Sequence, residues 1–241
     1  MKFGVATLFT GQGIGPAALA QALEERGFDS LFVTEHTHIP ASRRTPYPAG
    51  GELPERYYRL FNPFLALTAA ATVTRTLLLG TGVALIAQRD PIITAKEVAT
   101  LDQLSNGRFL FGVGIGWNRE EMESHGTDPK ARGKLADELL ETMQAIWTRE
   151  IAEYHGDFVN LDLLSRSGDL PFGWPTIIQW TPERLQPSSP TGRALEFGRG
   201  NRDARPVPSC RCDRRGRSDP ACLRRAGRIT GDRNAVGRCV V

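Results

Sequence analysis

LLLGTGVALIAQRDPIITAKEVATLDQLSNGRFLFGVGIGWNREE, residues 77–121, reads as a strand, a crossover helix and a second strand. An apolar β-type run, Leu77 to Ala87, is broken by Gly80 and Gly82 and passes through Gln88 and Arg89 to Asp90-Pro91. Asp before Pro predicts a helix start, because Asp caps free N–H groups and proline fits the first helical position, where its missing N–H costs nothing. Ile93, Val98, Leu101 and Leu104 then recur at helical spacing, and Asn106-Gly107 supplies a left-handed exit. A buried strand, Arg108 to Gly114, runs on into Gly116, Trp117 and Asn118.

A β-α-β unit of this length implies parallel strands, a right-handed connection and a sheet covered on both faces. In parallel α/β folds ligands sit beyond the carboxyl ends of the strands, where glycine lets backbone approach a flat or anionic group. Gly82-Val83 and Gly114-Ile115-Gly116 fall there. Glycines that only make turns would give the same pattern.

The pattern continues outward. Lys2 to Thr10 is a short apolar strand, and Pro16 opens a helix with Leu19, Ala22 and Leu23 on one face. Phe28 to Thr34 is the next strand, with Glu35-His36-Thr37-His38 at its carboxyl end. The long connection Ile39 to Phe61 carries Tyr47, Tyr57 and Tyr58, which argues for a lid over a site rather than a solvated linker. Asn62-Pro63 begins another helix, and Asp128-Pro129 is a third Asx-Pro start, opening a long amphipathic helix with Leu135, Leu139, Met143 and Trp147 on its apolar side. Tyr154 to Phe158 reads as a turn between short extended segments. Four strands alternating with helices favour the first half of a TIM-type (β/α)8 barrel over an open doubly wound sheet.

Charge and composition divide the chain. Residues 1–163 hold 15 Lys+Arg and 20 Asp+Glu, a net −5, whereas residues 164–241 hold 15 and 7, a net +8; together they give the overall +3. All four lysines lie in the first part, and Cys210, Cys212, Cys222 and Cys239 all lie in the second. The expected organisation is a half-barrel over 1–163 and an irregular Arg-rich tail over 164–241. Within the tail Pro171-Phe172-Gly173-Trp174-Pro175 and Ile177-Ile178 suggest a brief extended piece, and no aromatic residue follows Phe197. Low hydrophobicity with high charge makes disorder the physical expectation there. The cysteines lack the paired spacing and nearby histidines of structural zinc sites, so no metal is expected. A basic tail without interleaved aromatics argues against nucleic acid as a partner. Arginine, cysteine and proline enrichment is also what a GC-rich gene yields when read in a shifted frame. No run of about 18 apolar residues marks a membrane span, and MKFGVATLFT lacks the features of a signal peptide, which points to the cytoplasm.

Three stretches, GFDSLFVTEHTHIP, residues 77–121 and WTRE…YHGDFV, together resemble the luciferase-like monooxygenase superfamily, and within it the coenzyme F420-dependent oxidoreductases. The resemblance covers about residues 1–162. Relatives continue with a proline-rich strand start and a glycine pair that help hold the cofactor phosphate, and then complete the barrel; none of that is recognisable here. The resemblance implies a deazaflavin, coenzyme F420, at the carboxyl ends of the strands, with FMN as the alternative cofactor, passing hydride to or from a small-molecule substrate under the lid. It assigns Glu35 and His36 to the acid–histidine pair beside the reactive ring. An imidazole titrates near neutrality and can move the proton that accompanies hydride. Gly82-Val83 matches the strand-three bulge where relatives carry a non-prolyl cis peptide. Ile115, Gly116, Trp117 and Asn118 match the ring-contacting loop after strand four. Some relatives place a glutamate where Trp117 stands, so Trp117 is read as an apolar wall, and Asn118 also fits a helix cap. His38 is expected to face away or to serve the lid. A half-barrel exposes an apolar face and a parallel edge, which leaves a homodimer, or a non-catalytic product, as further readings.

Overall fold

Pro16, Pro63 and Pro91 each open a helix at its first position, and those helices separate the strands of a parallel sheet. The computed structural model describes residues 2–165 and 176–179. The readings made on residues 166–175 and 180–241, namely Pro171 to Pro175, the cysteine spacing, the basic tail and its disorder, lie outside them. The elements begin with β1 (Gly4–Thr7), α1 (Pro16–Glu25), β2 (Ser30–Val33), α2 (Pro63–Val73), β3 (Leu78–Thr81) and β4 (Ala84–Leu85). They continue with α3 (Pro91–Leu104), β5 (Phe109–Gly114), α4 (Arg119–Ser124) and α5 (Arg132–Thr148). A hairpin of β6 (Ile151–His155) and β7 (Asn160–Ser165) follows, and β8 (Thr176–Gln179) is the brief extended piece expected at Ile177-Ile178.

The sheet order is β1-β2-β3-β5, with every pairing parallel, and β8 lies along β5 through Leu110 to Val113. The apolar run from Leu77 is one strand with an irregularity. Gly80 faces Leu110 and Ala84 faces Val113, so four steps on one chain oppose three on the other. The extra residue sits at Gly82-Val83, as in a β-bulge. Beyond Leu85 the expected strand is a 3-10 turn, Ile86–Gln88.

The caps act through side-chain oxygens. Asn62 accepts from the N–H groups of Phe64 and Leu65, and Asp90 from that of Ile93. The third Asx-Pro start differs. Asp128 accepts from Lys130 N–H at 2.9 Å and makes a local turn, so α5 begins only at Arg132. Asn106 (φ 55°) and Gly107 (φ 73°) form the left-handed exit of α3. Helical spacing overstated one face: Ile93 is 61 % and Leu104 54 % exposed, while Thr94, Ala95, Val98 and Leu101 are buried. The core runs from Leu31, Val33, Leu79, Phe109 and Phe111 of the sheet to Phe64, Leu67 and Val98 of the helices.

Two polar anchors set the sheet's amino end, one buried and one half-buried. The Arg108 guanidinium donates to the carbonyls of Ser105, Leu77, Ala71 and Thr74 and to Thr74 Oγ1, which satisfies the carboxyl end of α2. The Glu24 carboxylate accepts from the N–H groups of Arg75, Thr76 and Leu77 and so ties α1 to the start of β3. The turn joining β6 to β7 falls at residues 156–159, later than the expected Tyr154 to Phe158 because Tyr154 and His155 pair within the hairpin, and Glu138 of α5 accepts the N–H groups of Asp157, Phe158 and Val159. Among the described residues no helix is long and apolar enough to cross a membrane.

Candidate active site

The carboxyl ends of β2, β3, β4 and β5 meet on one side of the sheet, and every residue picked from the sequence lies there. Gly82 N–H donates to Val33 O at 2.7 Å, which brings the bulge against the end of β2. The Gly82–Val83 peptide is cis. A Cβ on Gly114 would stand 2.4 Å from Val83 Cγ2, so only glycine lets β5 pass the bulge. Gly116 (φ 74°) turns the chain beside Leu85, Gln88 and Met122. That turn points Trp117 at β2, where its indole N–H donates to His36 Nε2 at 3.2 Å. Ile115 is partly buried against the main core.

His36 is 9 % exposed, and its other nitrogen lies 2.7 Å from Glu121 Oε2. An indole nitrogen can only donate, so Nε2 must offer its lone pair and Nδ1 must carry the proton given to Glu121. The partners on both sides therefore fix one neutral tautomer. The acid–histidine pairing thus differs from the one expected. The imidazole's partner is Glu121, from the first turn of α4 and 0 % exposed.

Glu35 turns its carboxylate the other way. It accepts from Leu85 N–H at 2.7 Å and forms a buried ion pair with Arg89, whose Nη1 also reaches Glu97 at 3.0 Å. Burial works against the Arg89 cation, yet the hydrogen bond and charge of Glu35 hold its pKa above the usual value. The Arg89 guanidinium lies 4.6 Å over the Phe64 ring. Glu35 thereby pins the segment after the bulge. Asn118 occupies the N-cap position of α4 without making a side-chain cap bond. It is fully buried, and both its amide atoms and those of Gln88 find no partner among the described residues.

The aromatic connection folds over this group. The Tyr57 ring meets His36 edge-on at 5.5 Å, Tyr47 meets Trp117 at 5.9 Å, and the two tyrosine hydroxyls are 3.1 Å apart. Burial and the Tyr47 hydroxyl push the Tyr57 phenol up to about 12. Thr45 donates to Glu120 at 2.7 Å and fastens the connection to α4. Burial opposes the Glu120 anion, but the bonds from Thr45 hold its carboxyl down at about 2. A cleft of about 650 Å³ opens between Arg44, Thr45, Ile115, Gly116, Trp117 and Glu120. Trp117 belongs both to this cleft and to the His36 cluster. His38 is exposed, 3.0 Å from Thr37 Oγ1. Among the described residues no group of three or more His, Cys, Asp or Glu could hold a metal ion.

Sequence reasoning missed Glu121, Thr37 and Arg89. An acid in the first turn of a helix reads as a partner of the helix dipole, and nothing local ties Glu121 to a histidine 85 residues away. Asp90-Pro91 drew the eye past Arg89 to the helix it opens.

The chain matches an uncharacterized protein of Mycobacterium tuberculosis at 46 % identity over 162 residues, 66 % of this chain and 57 % of that one. It matches the FMNH(2)-dependent dimethylsulfone monooxygenase of Pseudomonas fluorescens at 29 % over 164 residues, 67 % of this chain and 41 % of that one. The chain thus spans about half the length of the curated relatives it matches. Among solved structures it resembles an F420-dependent secondary alcohol dehydrogenase in complex with an F420-acetone adduct, at 25 % identity and a TM-score of 0.54, covering 69 % of this chain and 48 % of that one. The family model for luciferase-like monooxygenases matches residues 1–179. With its parallel sheet of the luciferase-like barrel type, this chain belongs to the luciferase-like monooxygenase family.

Proposed function

We propose that the chain is a hydride-transferring oxidoreductase that uses coenzyme F420, with His36 as the residue that moves the accompanying proton. The observation that carries this reading is the state of His36. Glu121 holds Nδ1, so the lone pair of Nε2 is the free base position, and only the Trp117 N–H covers it. Rotation of Trp117 uncovers Nε2 for a substrate hydroxyl, and the Glu121 carboxylate stabilises the imidazolium that results.

The residues present fit a planar polar ring. Gly114 lets Val83 close over β5, Gly116 turns the backbone beside Leu85 and Gln88, and the orphaned amides of Asn118 and Gln88 offer donors and acceptors for a heterocycle edge. Gly82, Val83, Ile115 and Gly116 would back the ring, and Trp117 would wall it. The group supplies, when bound, a ring carbon that gives or takes hydride. Glu35 supports this surface through Leu85 and Arg89 rather than by meeting substrate. Tyr47, Tyr57 and Trp117 make the substrate side aromatic, which suits a small apolar or aromatic organic compound.

FMN-dependent monooxygenation is the second reading, favoured by the likeness to the dimethylsulfone enzyme. A non-catalytic half-barrel is a third. Titrating the full chain with F420 and with FMN, and following quenching of their fluorescence, separates the three. Stoichiometric F420 quenching on a protein with one cooperative thermal transition supports the proposal. Tight FMN uptake with oxygen consumption transfers it to the monooxygenase reading, and binding of neither refutes both.

A further inference from the structure

His36 is buried and both its ring nitrogens are engaged, so a proton it gains has no direct way to water. Glu121 leads outward from it. Its Oε1 accepts Thr37 N–H at 2.9 Å and lies 3.3 Å from Thr37 Oγ1. That hydroxyl is 2.7 Å from His125 Nε2 and 3.0 Å from His38 Nδ1. The two outer histidines are exposed, with rings 5.5 Å apart, whereas Glu121 is wholly buried. An unbroken line of hydrogen-bonding groups therefore runs from a buried imidazole to the surface.

We propose that Glu121, Thr37 and His125 form the route by which a proton taken up at His36 reaches solvent, with His38 orienting the Thr37 hydroxyl. The inference rests on the reading of His36 as the proton-moving residue. Uptake at Nε2 releases the Nδ1 proton to Glu121 Oε2. The carboxyl, neutral for that moment, makes a half-turn and gives the proton to Thr37 Oγ1. Thr37 passes its own hydroxyl proton to His125 Nε2, and His125 loses its Nδ1 proton to water. Each step breaks one N–H or O–H bond and forms another, no electrons are transferred, and His36 ends in its other neutral tautomer.

The hydroxyl is suited to this work because it donates once and accepts twice. When it points at Glu121, both histidine nitrogens must donate to it. When it points at His125, the carboxyl can donate to it. The two patterns differ only in where the shared protons sit. Burial and the charge of His38 hold His125 below its usual pKa, with Arg89 acting in the same sense and Glu121 and Glu35 against it. It is therefore a neutral acceptor near pH 7. Thr37 and His125 touch neither the proposed ring surface nor the cleft, and they act through Glu121 as positioning residues.

The test uses the full chain labelled with 15N-histidine, without added cofactor, and reads exchange of the His36 Nδ1 proton with water by saturation transfer. Thr37→Val keeps the shape and removes the hydroxyl; it is expected to slow exchange by about tenfold, the effect of about 1.4 kcal/mol on a barrier. Thr37→Ser is expected to restore the rate. His125→Asn is expected to slow exchange likewise, and added imidazole to restore it by replacing the lost acceptor. Parent rates in Thr37→Val and His125→Asn would overturn the route, as would a slow His125→Asn that imidazole leaves slow. Quenching of F420 and FMN is followed separately on the same variants. Unchanged exchange with intact cofactor uptake defeats the route alone, and slowed exchange with no uptake in any variant defeats the redox reading alone.

Discussion

Gly116→Ala separates a backbone cost from a functional one. Gly116 holds φ at 74°, a left-handed conformation that costs an L-residue about 1–2 kcal/mol. An added Cβ would meet Met122 Cε at 3.1 Å, the flexible end of a side chain, and Gln88 and Leu85 at ordinary contact distances, so packing adds little. If the turn relaxes instead, Trp117 leaves His36 Nε2 and a hydrogen bond worth about 0.5–1.5 kcal/mol goes with it. On either course the expected loss is about 1–2 kcal/mol in urea unfolding, with cofactor affinity weakened about tenfold or more. Gly107→Ala is the control. Its φ is 73° and its Cβ would meet nothing within 4 Å, so it carries the same backbone cost at the amino end of β5, away from the site. It should lose about 1–2 kcal/mol and bind cofactor within about twofold of the parent. Parent-like cofactor binding by Gly116→Ala, or equal weakening in both variants, would refute the placement of the ring over this turn.

Two further substitutions test the scaffold. Asp102 of α3 is buried enough for its carboxyl to be pushed up to about 6, against a lowering bond from Phe109 N–H. From the usual 3.8 that is about 3 kcal/mol on the charged form, which partial exposure trims to about 1–2 kcal/mol. A raised carboxyl makes the fold most stable when protonated, so this penalty is absent below about pH 4 and complete above about pH 6. Asp102→Asn should therefore raise the thermal midpoint at pH 7.5 and leave it unchanged at pH 3.5; a pH-independent effect would contradict the assignment. Arg108→Met should cost about 3–5 kcal/mol in urea unfolding, because it strands several buried carbonyls at the end of α2. Arg108→Lys, with a point charge in place of a planar fork, should recover less than half of that. A loss within about 1 kcal/mol for Arg108→Met would mean that water replaces the guanidinium.

Much of the fold was legible because it rests on local chemistry. Asn62 and Asp90 cap their helices through the oxygens their sequence context suggests, and Asn106-Gly107 ends α3 in the left-handed region. Asp128-Pro129 misled because the same side-chain oxygen can close a local turn instead. Spacing also cannot tell which apolar stripe a helix buries. In α3 the small residues Thr94 and Ala95 face the core, and the Trp147 indole reaches over to Ala95 O, which leaves Ile93 outside. The site was half legible. The glycines and His36 stand where strand ends demand them. Glu121 meets His36 only after the sheet sets the carboxyl ends of β2 and β5 on either side of β3, and no periodicity encodes a contact across 85 residues.

An extra residue at Gly82-Val83 makes this strand intolerant of changes in length. Side chains of a strand alternate in direction, so the segment from Ala84 has the opposite parity to the segment ending at Gly80. Deleting one residue here would not shorten the strand so much as invert its downstream half. The Leu85 amide would swing away from Glu35, and Val83 would leave the gap above Gly114 in the same movement. Between Leu79 and Leu85 the residue count itself holds the site in register.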